Sequence, residues 1–180
     1  MIAPSDKNIV YTIGHSTYSL AEFIKMLQSF QIKILIDIRS LPGSRKFPQF
    51  DKENLEKSLL ENGIQYKHLS NLGGRRKMKK DSINDRWNNE SFRGYADYME
   101  TKEFGAGITA LETFALKQPT TMMCAEAVWW RCHRSMVSDH LKVKGWEVLH
   151  IMGIGKAKEH TYTSPATIVD GNVCYSNQIT

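Results

Sequence analysis

The chain has 180 residues, of which 41% are hydrophobic and 24% charged, a composition that disfavours disorder and is sufficient for a sizeable core. The net charge of +5 permits an anionic partner such as a nucleotide, phosphate or nucleic acid without requiring one. Three cysteines form no disulfide-rich pattern, no apolar run approaches the ~20 residues that span a membrane, and residues 1–8 are too short and polar for a signal peptide, so a soluble, cytoplasmic protein with no membrane partner is expected.

The N-terminal third has the pattern of a strand–helix–strand unit. Residues 9–13 form a short apolar run that predicts a strand. Ser19 opens a predicted helix, with Glu22 three residues later as a capping-box partner. Residues 32–38 are rich in β-branched side chains and predict a buried parallel strand, so the connection between the two strands should be right-handed.

The middle of the chain alternates predicted elements with one long irregular segment. A helix is predicted over residues 51–62 and a strand over residues 64–69. Residues 70–90 have no periodicity, and an irregular segment of this length is usually functional or mobile. Two further helices are predicted over residues 92–99 and 104–116.

The C-terminal third returns to strands and one helix. Residues 120–124 predict a strand, a helix follows from Cys132 and His133 to residue 144, and residues 146–152 predict the next strand. An Asp-Gly pair between apolar runs predicts a hairpin over residues 167–175. The sequence therefore predicts a single three-layer α/β domain over residues 1–180, with a mainly parallel sheet, a C-terminal β-hairpin, no internal repeat and no domain boundary.

Polar side chains follow three of the predicted strands at the point where each strand ends. The carboxyl ends of parallel strands are where α/β proteins bind ligands, so a shared site is expected. The residues concerned are Gly14, His15 and Ser16 after the first strand, Asp37, Arg39, Ser40, Pro42, Ser44 and Arg45 after the second, and Cys124 and Glu126 after a later one. A purely structural alternative is that Asp37 and Arg39 pair with each other or cap helices.

The segment from Cys124 to Arg134 has the residue types of a reactive thiol site. A helix N-terminus stabilises anions and lowers a thiol pKa, so Cys124 is a candidate nucleophile, with Glu126 or His133 as acid or base. The alternative is that Cys124 is a buried and inert strand residue. Cys132 and His133 could join it as metal ligands, but the paired spacing of structural zinc sites is missing, so neither a metal nor a cofactor is predicted.

Five of the six residues from 75 to 80 are cationic, and this basic loop follows Gly73 and Gly74, which permit close backbone approach. Such a run either grips phosphates or is a solvated surface. It is the basis of an alternative function, a nucleic-acid-binding module. Trp129 and Trp130, between the candidate thiol and its helix, could wall a pocket for a planar ligand.

Six segments in chain order resemble the family known as domain of unknown function 488. They are residues 12–16 (TIGHS), 37–39 (DIR) with 42–45 (PGSR), 72–74 (LGG), 95–99 (YADYM), 124–126 (CAE) and 132–134 (CHR). The resemblance implies a compact α/β domain with a polar pocket, and it implies no reaction.

Two segments are also similar to rhodanese domains, namely residues 34–39 and the cysteine-containing stretch from residue 122 to residue 151. That resemblance implies a distantly rhodanese-like fold in which the loop after the cysteine holds an anion. Here the loop is longer, and Arg131 falls seven positions after Cys124, so the likeness indicates a fold and not a sulfurtransferase or phosphatase.

Together these observations predict an enzyme that acts on a small anionic or nucleotide-like substrate, with the nucleic-acid-binding module as the alternative. The sequence leaves the substrate, the reaction and the oligomeric state open. The predicted catalytic residues are Cys124, Glu126, His133 and His15. The predicted substrate-binding residues are Gly14, Ser16, Asp37, Arg39, Ser44, Arg45, Gly73, Gly74, Cys132 and Arg134.

Overall fold

The computed structural model describes residues 8–178. Residues 1–7 and 179–180 lie outside the described residues. The prediction that residues 1–8 are no signal peptide therefore falls almost entirely outside them. The strands are β1 (Ile9–Gly14), β2 (Ile34–Asp37), β3 (Gln65–His68), β4 (Thr120–Cys124), β5 (Glu147–Gly153), β6 (Lys156–Glu159), β7 (Thr167–Val169) and β8 (Asn172–Cys174). The helices are α1 (Leu20–Ser29), α2 (Lys52–Glu61), α3 (Glu90–Met99), α4 (Lys102–Ala115) and α5 (Arg134–Val143).

The main sheet has six strands in the order β3-β2-β4-β1-β5-β6. The first five are parallel to their neighbours, and β6 pairs antiparallel with β5 at one edge. Because β1 and β4 lie next to each other at the centre, the residues that follow them meet at one edge of the sheet. The prediction of an α/β fold with a mainly parallel sheet is confirmed.

Helices cover both faces of this sheet, which gives three layers. Strand side chains alternate between the faces, so that Ile36 packs with α3, α4 and α5 while Leu35 packs with α1 and α2. All four residues of β2 are buried, as expected for a strand covered on both sides. Two patterns in the sequence therefore predict the layers. Strand side chains alternate between the two faces with a period of two, and each helix has an apolar stripe that packs on the sheet.

Local signals in the sequence account for several element boundaries. The Ser19 side chain accepts a hydrogen bond from the backbone N–H of Glu22 and caps α1, as predicted. Asp170 and Gly171 have φ values of 48° and 71°, the pair of positive angles that a tight hairpin turn requires. The predicted C-terminal hairpin is confirmed as β7 and β8. The edge strand β6 was not predicted, because its four residues are all exposed and have no apolar alternation.

No helix among residues 8–178 is long and apolar enough to span a bilayer.

Candidate functional site

A large pocket lies at the carboxyl edge of the sheet, over the ends of β1, β2 and β4. Its volume is about 1040 Å³, which is at the upper end of the range for small-molecule sites. Gly14 lies level with Cys124 across the sheet, and Asp37 lies level with Met123. The parallel register thus brings together three strand ends that are far apart in the sequence.

Most of the predicted site residues line this pocket. They are His15, Ser16, Arg39, Ser44, Gly74, Cys124, Glu126, Cys132 and His133. Ser16 has a φ of 46°, a left-handed conformation that turns the chain sharply after β1. Its backbone N–H donates to the Ala125 carbonyl over 2.9 Å, which ties the loop after β1 to the loop after β4.

The remaining predicted residues lie outside the lining, and they are Gly14, Asp37, Gly73, Arg45 and Arg134. Gly14 and Gly73 are required where backbones approach closely: a Cβ on Gly14 would overlap the Glu126 carbonyl oxygen, and a Cβ on Gly73 would lie 2.6 Å from Ser40 Oγ. Arg45 is exposed. These positions shape the pocket or face away from it.

Arg134 is buried behind the pocket wall, with 1% of its surface exposed. Its Nη2 donates to the backbone carbonyls of Glu126 and Ala127 over 2.9 and 3.3 Å. The Nε and Nη1 groups have no hydrogen-bond partner among the described residues. Arg134 therefore holds the loop that follows Cys124 and does not reach the space where a ligand would bind.

Asp37 and Arg39 form the buried pair that the structural alternative anticipated. Arg39 Nη2 lies 2.6 Å from Asp37 Oδ2, Nε lies 3.0 Å from Oδ1, and both side chains are at least nine-tenths buried. The Tyr66 hydroxyl also donates to Asp37 Oδ2, over 2.7 Å. The remaining nitrogen, Nη1, donates to the Phe50 carbonyl over 2.9 Å, so the guanidinium is rigid and its charge is already balanced.

The two cysteines and His133 form one compact cluster on the pocket floor. His133 Nδ1 lies 4.0 Å from Cys124 Sγ and 3.7 Å from Cys132 Sγ. His133 Nε2 lies 3.1 Å from the Ile38 carbonyl oxygen, which only accepts hydrogen bonds, so Nε2 carries a proton. Nδ1 is therefore the unprotonated ring nitrogen, and it faces the two sulfurs.

The two thiols differ in acidity. The pKa of the Cys124 thiol is held well below its ordinary value, most strongly by a hydrogen bond from the Cys132 thiol, and then by His133 and the positive charge of Arg134; burial opposes this. The pKa of Cys132 is raised, first by burial and then by its neighbour Cys124. The first proton thus leaves Cys124, and Cys132 keeps its own.

The N-terminus of α5 reaches Cys132 directly. The backbone N–H of Arg134 lies 3.4 Å from Cys132 Sγ. The sequence predicted that the N-terminus of this helix faces Cys124. In the structure, the backbone N–H at the start of the helix instead contacts Cys132. Cys132 is in turn the neighbour that most strongly lowers the pKa of Cys124.

His15 pairs with Arg39 rather than with another candidate acid or base. Its Nδ1 donates to the Ser16 carbonyl over 3.1 Å, and Nε2 faces Arg39 Nη1 at 3.5 Å. Its ring stacks on Phe50 with 4.3 Å between centroids. The pKa of His15 is lowered, mainly by burial and further by Arg39. His15 is thus a neutral hydrogen-bond acceptor, and Glu126 is an exposed carboxylate at the rim.

Cationic residues outnumber acidic ones in the lining of the pocket. Among the described residues that line it, six are Arg or Lys and one, Glu126, is acidic. The cationic residues are Arg39, Lys46, Arg75, Arg76, Lys77 and Arg131. Of these, the sequence identified Arg39, the basic loop and Arg131, whereas Lys46 carried no signal beyond its place after Arg45.

The basic loop folds over the pocket because contacts of Arg75, Arg76 and Lys79 hold it there. The Arg75 backbone N–H donates to Ser40 Oγ over 3.0 Å, just after β2. Arg76 lies 3.6 Å over the Tyr98 ring and donates to the carbonyls of residues 70 and 73. Farther along, the buried carboxylate of Asp97 accepts from the Lys79 backbone N–H over 2.8 Å. Ser40, one of the polar residues that follow the second predicted strand, therefore positions the basic loop.

A buried chain of polar side chains behind the pocket was also missed. Thr12 Oγ1 lies 2.7 Å from His150 Nδ1, His150 Nε2 lies 2.9 Å from His160 Nδ1, and His160 Nε2 lies 2.8 Å from Asp139. Trp129 stacks on His150 with 4.3 Å between centroids. Trp129 is therefore buried there, Trp130 is exposed, and neither lines the pocket that they were expected to wall.

Comparisons with known proteins bear on the family alone. A family model described as domain of unknown function DUF488 matches residues 19–141. No curated protein matches the chain, and no solved structure matches it.

Proposed function

The chain belongs to the family described as domain of unknown function DUF488, and because that description assigns no reaction, we propose from the pocket that the protein is an enzyme. It acts on a small anionic or nucleotide-like substrate. Cys124 is the nucleophile, His133 is its proton partner, and cations at the rim bind the anionic group. The observation that carries this proposal is the pair formed by Cys124 and His133 on the floor of a cationic pocket.

The geometry of the pair supports nucleophilic catalysis. The proton on His133 Nε2 is committed to Ile38, so Nδ1 is available to take the proton from Cys124. Cys124 Sγ then forms a bond to an electrophilic atom next to the anionic group of the substrate. The proton on Nδ1 passes to the leaving group as its bond to that atom breaks, which leaves a covalent intermediate for the next step.

The charges around the pocket support an anionic substrate. Arg39 is neutralised by Asp37 and buried, so we assign ligand binding to the exposed cations of the rim, Arg75, Lys77 and Arg131. Arginine and lysine bind phosphate and carboxylate through charge-assisted hydrogen bonds. The volume of about 1040 Å³ accommodates a ligand of nucleotide size.

Protection of the cysteine by ligands tests this proposal. Chelator-treated protein is alkylated in the presence of inorganic phosphate, pyrophosphate or a nucleoside monophosphate, and each cysteine is followed by peptide mass analysis. We expect at least one of these anions to slow the alkylation of Cys124 at low millimolar concentration, with no effect on Cys174, which lies in the hairpin strand β8 and does not line the pocket. An Arg131→Gln variant should lose most of that protection.

The result that contradicts the proposal is equal alkylation of Cys124 with and without every anion. A substrate screen with the wild type and Cys124→Ser provides the second readout. Any turnover that survives in Cys124→Ser would remove the cysteine from the chemistry and leave the proton transfer to Glu126 and His133.

The contacts of the basic loop favour this enzyme over the nucleic-acid-binding module. A nucleic-acid surface needs cations that face outward in a continuous stripe. Here Arg75, Arg76 and Lys77 line the pocket, and the Lys79 ammonium lies 3.5 Å from Glu100. Lys80 is exposed. The loop is therefore better suited to a ligand inside the pocket than to a polyanion across the surface.

A further inference from the structure

Beyond the thiol chemistry, we propose that Cys124, Cys132 and His133 bind one divalent ion of the zinc type, with the fourth coordination position open to the pocket. The proposal is independent of the enzyme proposed above, because it depends only on the positions of three ligand atoms. The eight-residue separation of the cysteines hides this site from the spacing rules for structural zinc.

The distances fit tetrahedral coordination. The two sulfurs and His133 Nδ1 all lie within 4.8 Å of one another, and Nδ1 is 4.0 and 3.7 Å from the sulfurs. In a tetrahedral zinc site, with Zn–S of about 2.3 Å and Zn–N of about 2.0–2.1 Å, nitrogen and sulfur are about 3.5 Å apart and two sulfurs about 3.8 Å apart. Nitrogen-to-sulfur closure by a few tenths of an ångström is within the reach of side-chain adjustment.

The hydrogen bonds around the cluster are those that a metal site uses. His133 donates from Nε2 to the Ile38 carbonyl, which leaves the lone pair of Nδ1 directed at the sulfurs. The Arg134 backbone N–H lies 3.4 Å from Cys132 Sγ. Metal-binding histidines almost always donate their other N–H to a carbonyl or carboxylate, because this fixes the ring and its tautomer.

The fit of the ring depends on Gly74. A Cβ at Gly74 would overlap His133 Nδ1 and lie 2.6 Å from Cγ. The histidine is thus clamped between the loop and the sheet. A preorganised ligand loses little freedom when the ion binds, which favours affinity.

Charge balance also favours a divalent ion. Two thiolates and one neutral imidazole compensate a doubly charged cation. The nearby Arg39 is already neutralised by Asp37 and so repels the ion less than its formal charge suggests. Soft thiolate and imidazole ligands select zinc-type ions over magnesium or calcium.

The fourth position distinguishes this site from a structural one. All three ligands line the pocket, so the open position faces the space where a substrate would lie. Three protein ligands with one open position are typical of catalytic zinc. The ion would take one lone pair of Cys124 Sγ and the single lone pair of His133 Nδ1, whose ring already donates from Nε2 to Ile38, so His133 cannot act as the proton partner of Cys124 while the ion is bound.

Cobalt titration tests the site without any need for a substrate. Chelator-treated protein is titrated with Co²⁺ and followed by visible and near-ultraviolet absorption, and Zn²⁺ is then added as a competitor. We expect saturation at one equivalent, the intense visible bands of tetrahedral cobalt, a thiolate-to-cobalt charge-transfer band, and displacement by Zn²⁺. Cys132→Ser and Cys124→Ser should each weaken binding at least tenfold, whereas Cys174→Ser should bind as the wild type does.

The proposal is overturned if the wild type gives no thiolate-to-cobalt band, or if both cysteine variants bind cobalt as tightly as the wild type. Circular dichroism of each variant establishes that it is folded before titration. The assays of the proposed enzyme are run in chelator, so a failure of the enzyme proposal can be told apart from a failure of the metal-site proposal. Anion protection of Cys124 in chelator supports the enzyme whatever cobalt does, and cobalt binding without protection supports the metal site alone.

Discussion

Neutralising Asp37 should destabilise the fold more than any other conservative change at the site. The Asp37 carboxylate accepts from Arg39 Nη2 over 2.6 Å, from Arg39 Nε over 3.0 Å and from the Tyr66 hydroxyl over 2.7 Å. Asp37→Asn keeps one acceptor and turns an amide N–H₂ towards donors, and it leaves the buried Arg39 charge without a partner. Removal of one member of a buried ion pair costs about 3–5 kcal/mol.

Urea denaturation at pH 7, followed by circular dichroism and tryptophan fluorescence, measures this loss. For a chain of this length it corresponds to a drop in Tm of roughly 6–20 °C. Tyr66→Phe removes one hydrogen bond to the charged carboxylate and should cost about 1.5–3 kcal/mol. Asp81→Asn, at an exposed position, makes the same charge change and should stay within about 0.5 kcal/mol of the wild type.

If Asp37→Asn lowers the free energy of unfolding by less than about 1 kcal/mol, the pair does not behave as a buried ion pair. Such a small loss would mean that water in the pocket solvates Arg39 well enough to replace the carboxylate, so that the pair behaves like a surface ion pair. Arg39 would then be a mobile cation that is free to bind a ligand.

Three further predictions concern the rest of the site. Gly74→Ala should displace the His133 ring and weaken cobalt binding at least tenfold, whereas Gly105→Ala, where an added Cβ meets nothing within 4 Å, should leave it unchanged and stabilise its helix by up to about 1 kcal/mol. The pKa of His150 is lowered to about 2, mainly by burial. Below pH 6.5 the unfolded chain therefore binds a proton at His150 that the folded chain does not bind. The free energy of unfolding should fall by up to about 1.4 kcal/mol per pH unit between pH 6.5 and 2. His150→Gln should show a shallower slope, and an unchanged slope would contradict the assignment. Neutralisation of the cations in residues 75–80 should abolish anion protection, and the intact protein should bind single- or double-stranded DNA only weakly at low salt; tight binding with a steep salt dependence would instead support the nucleic-acid-binding module.

The strands of the mainly parallel sheet were predictable, though not their order, because buried parallel strands have a strong signature. The β-branched run of β2 and the polar groups after three strands indicate both the sheet and the edge where its ends meet. The pairing of Asp37 with Arg39 was anticipated as an alternative. Backbone register then decides which residues meet, and here it joins Cys124 to Gly14.

Side-chain direction could not be read from the sequence. Arg134 and Arg131 are both cations near the start of α5, but Arg134 turns inward to hold backbone carbonyls whereas Arg131 lines the pocket. The hydrogen bond between Thr12 and His150 joins residues 138 positions apart, and no local pattern encodes it. A buried aspartate within the apolar face of α5, Asp139, was the available signal for that chain.

The proposed chemistry depends on the thiolate character of Cys124, which pH-dependent alkylation measures. Chelator-treated wild type and His133→Gln are labelled across pH 5–10, and the modified cysteines are separated by peptide mass analysis. Thiolate character predicts that Cys124 reacts with an apparent pKa well below the ~8.5 of a free thiol, and that His133→Gln raises that pKa. A Cys124 that stays unlabelled, or that titrates like a free thiol in both proteins, would contradict it.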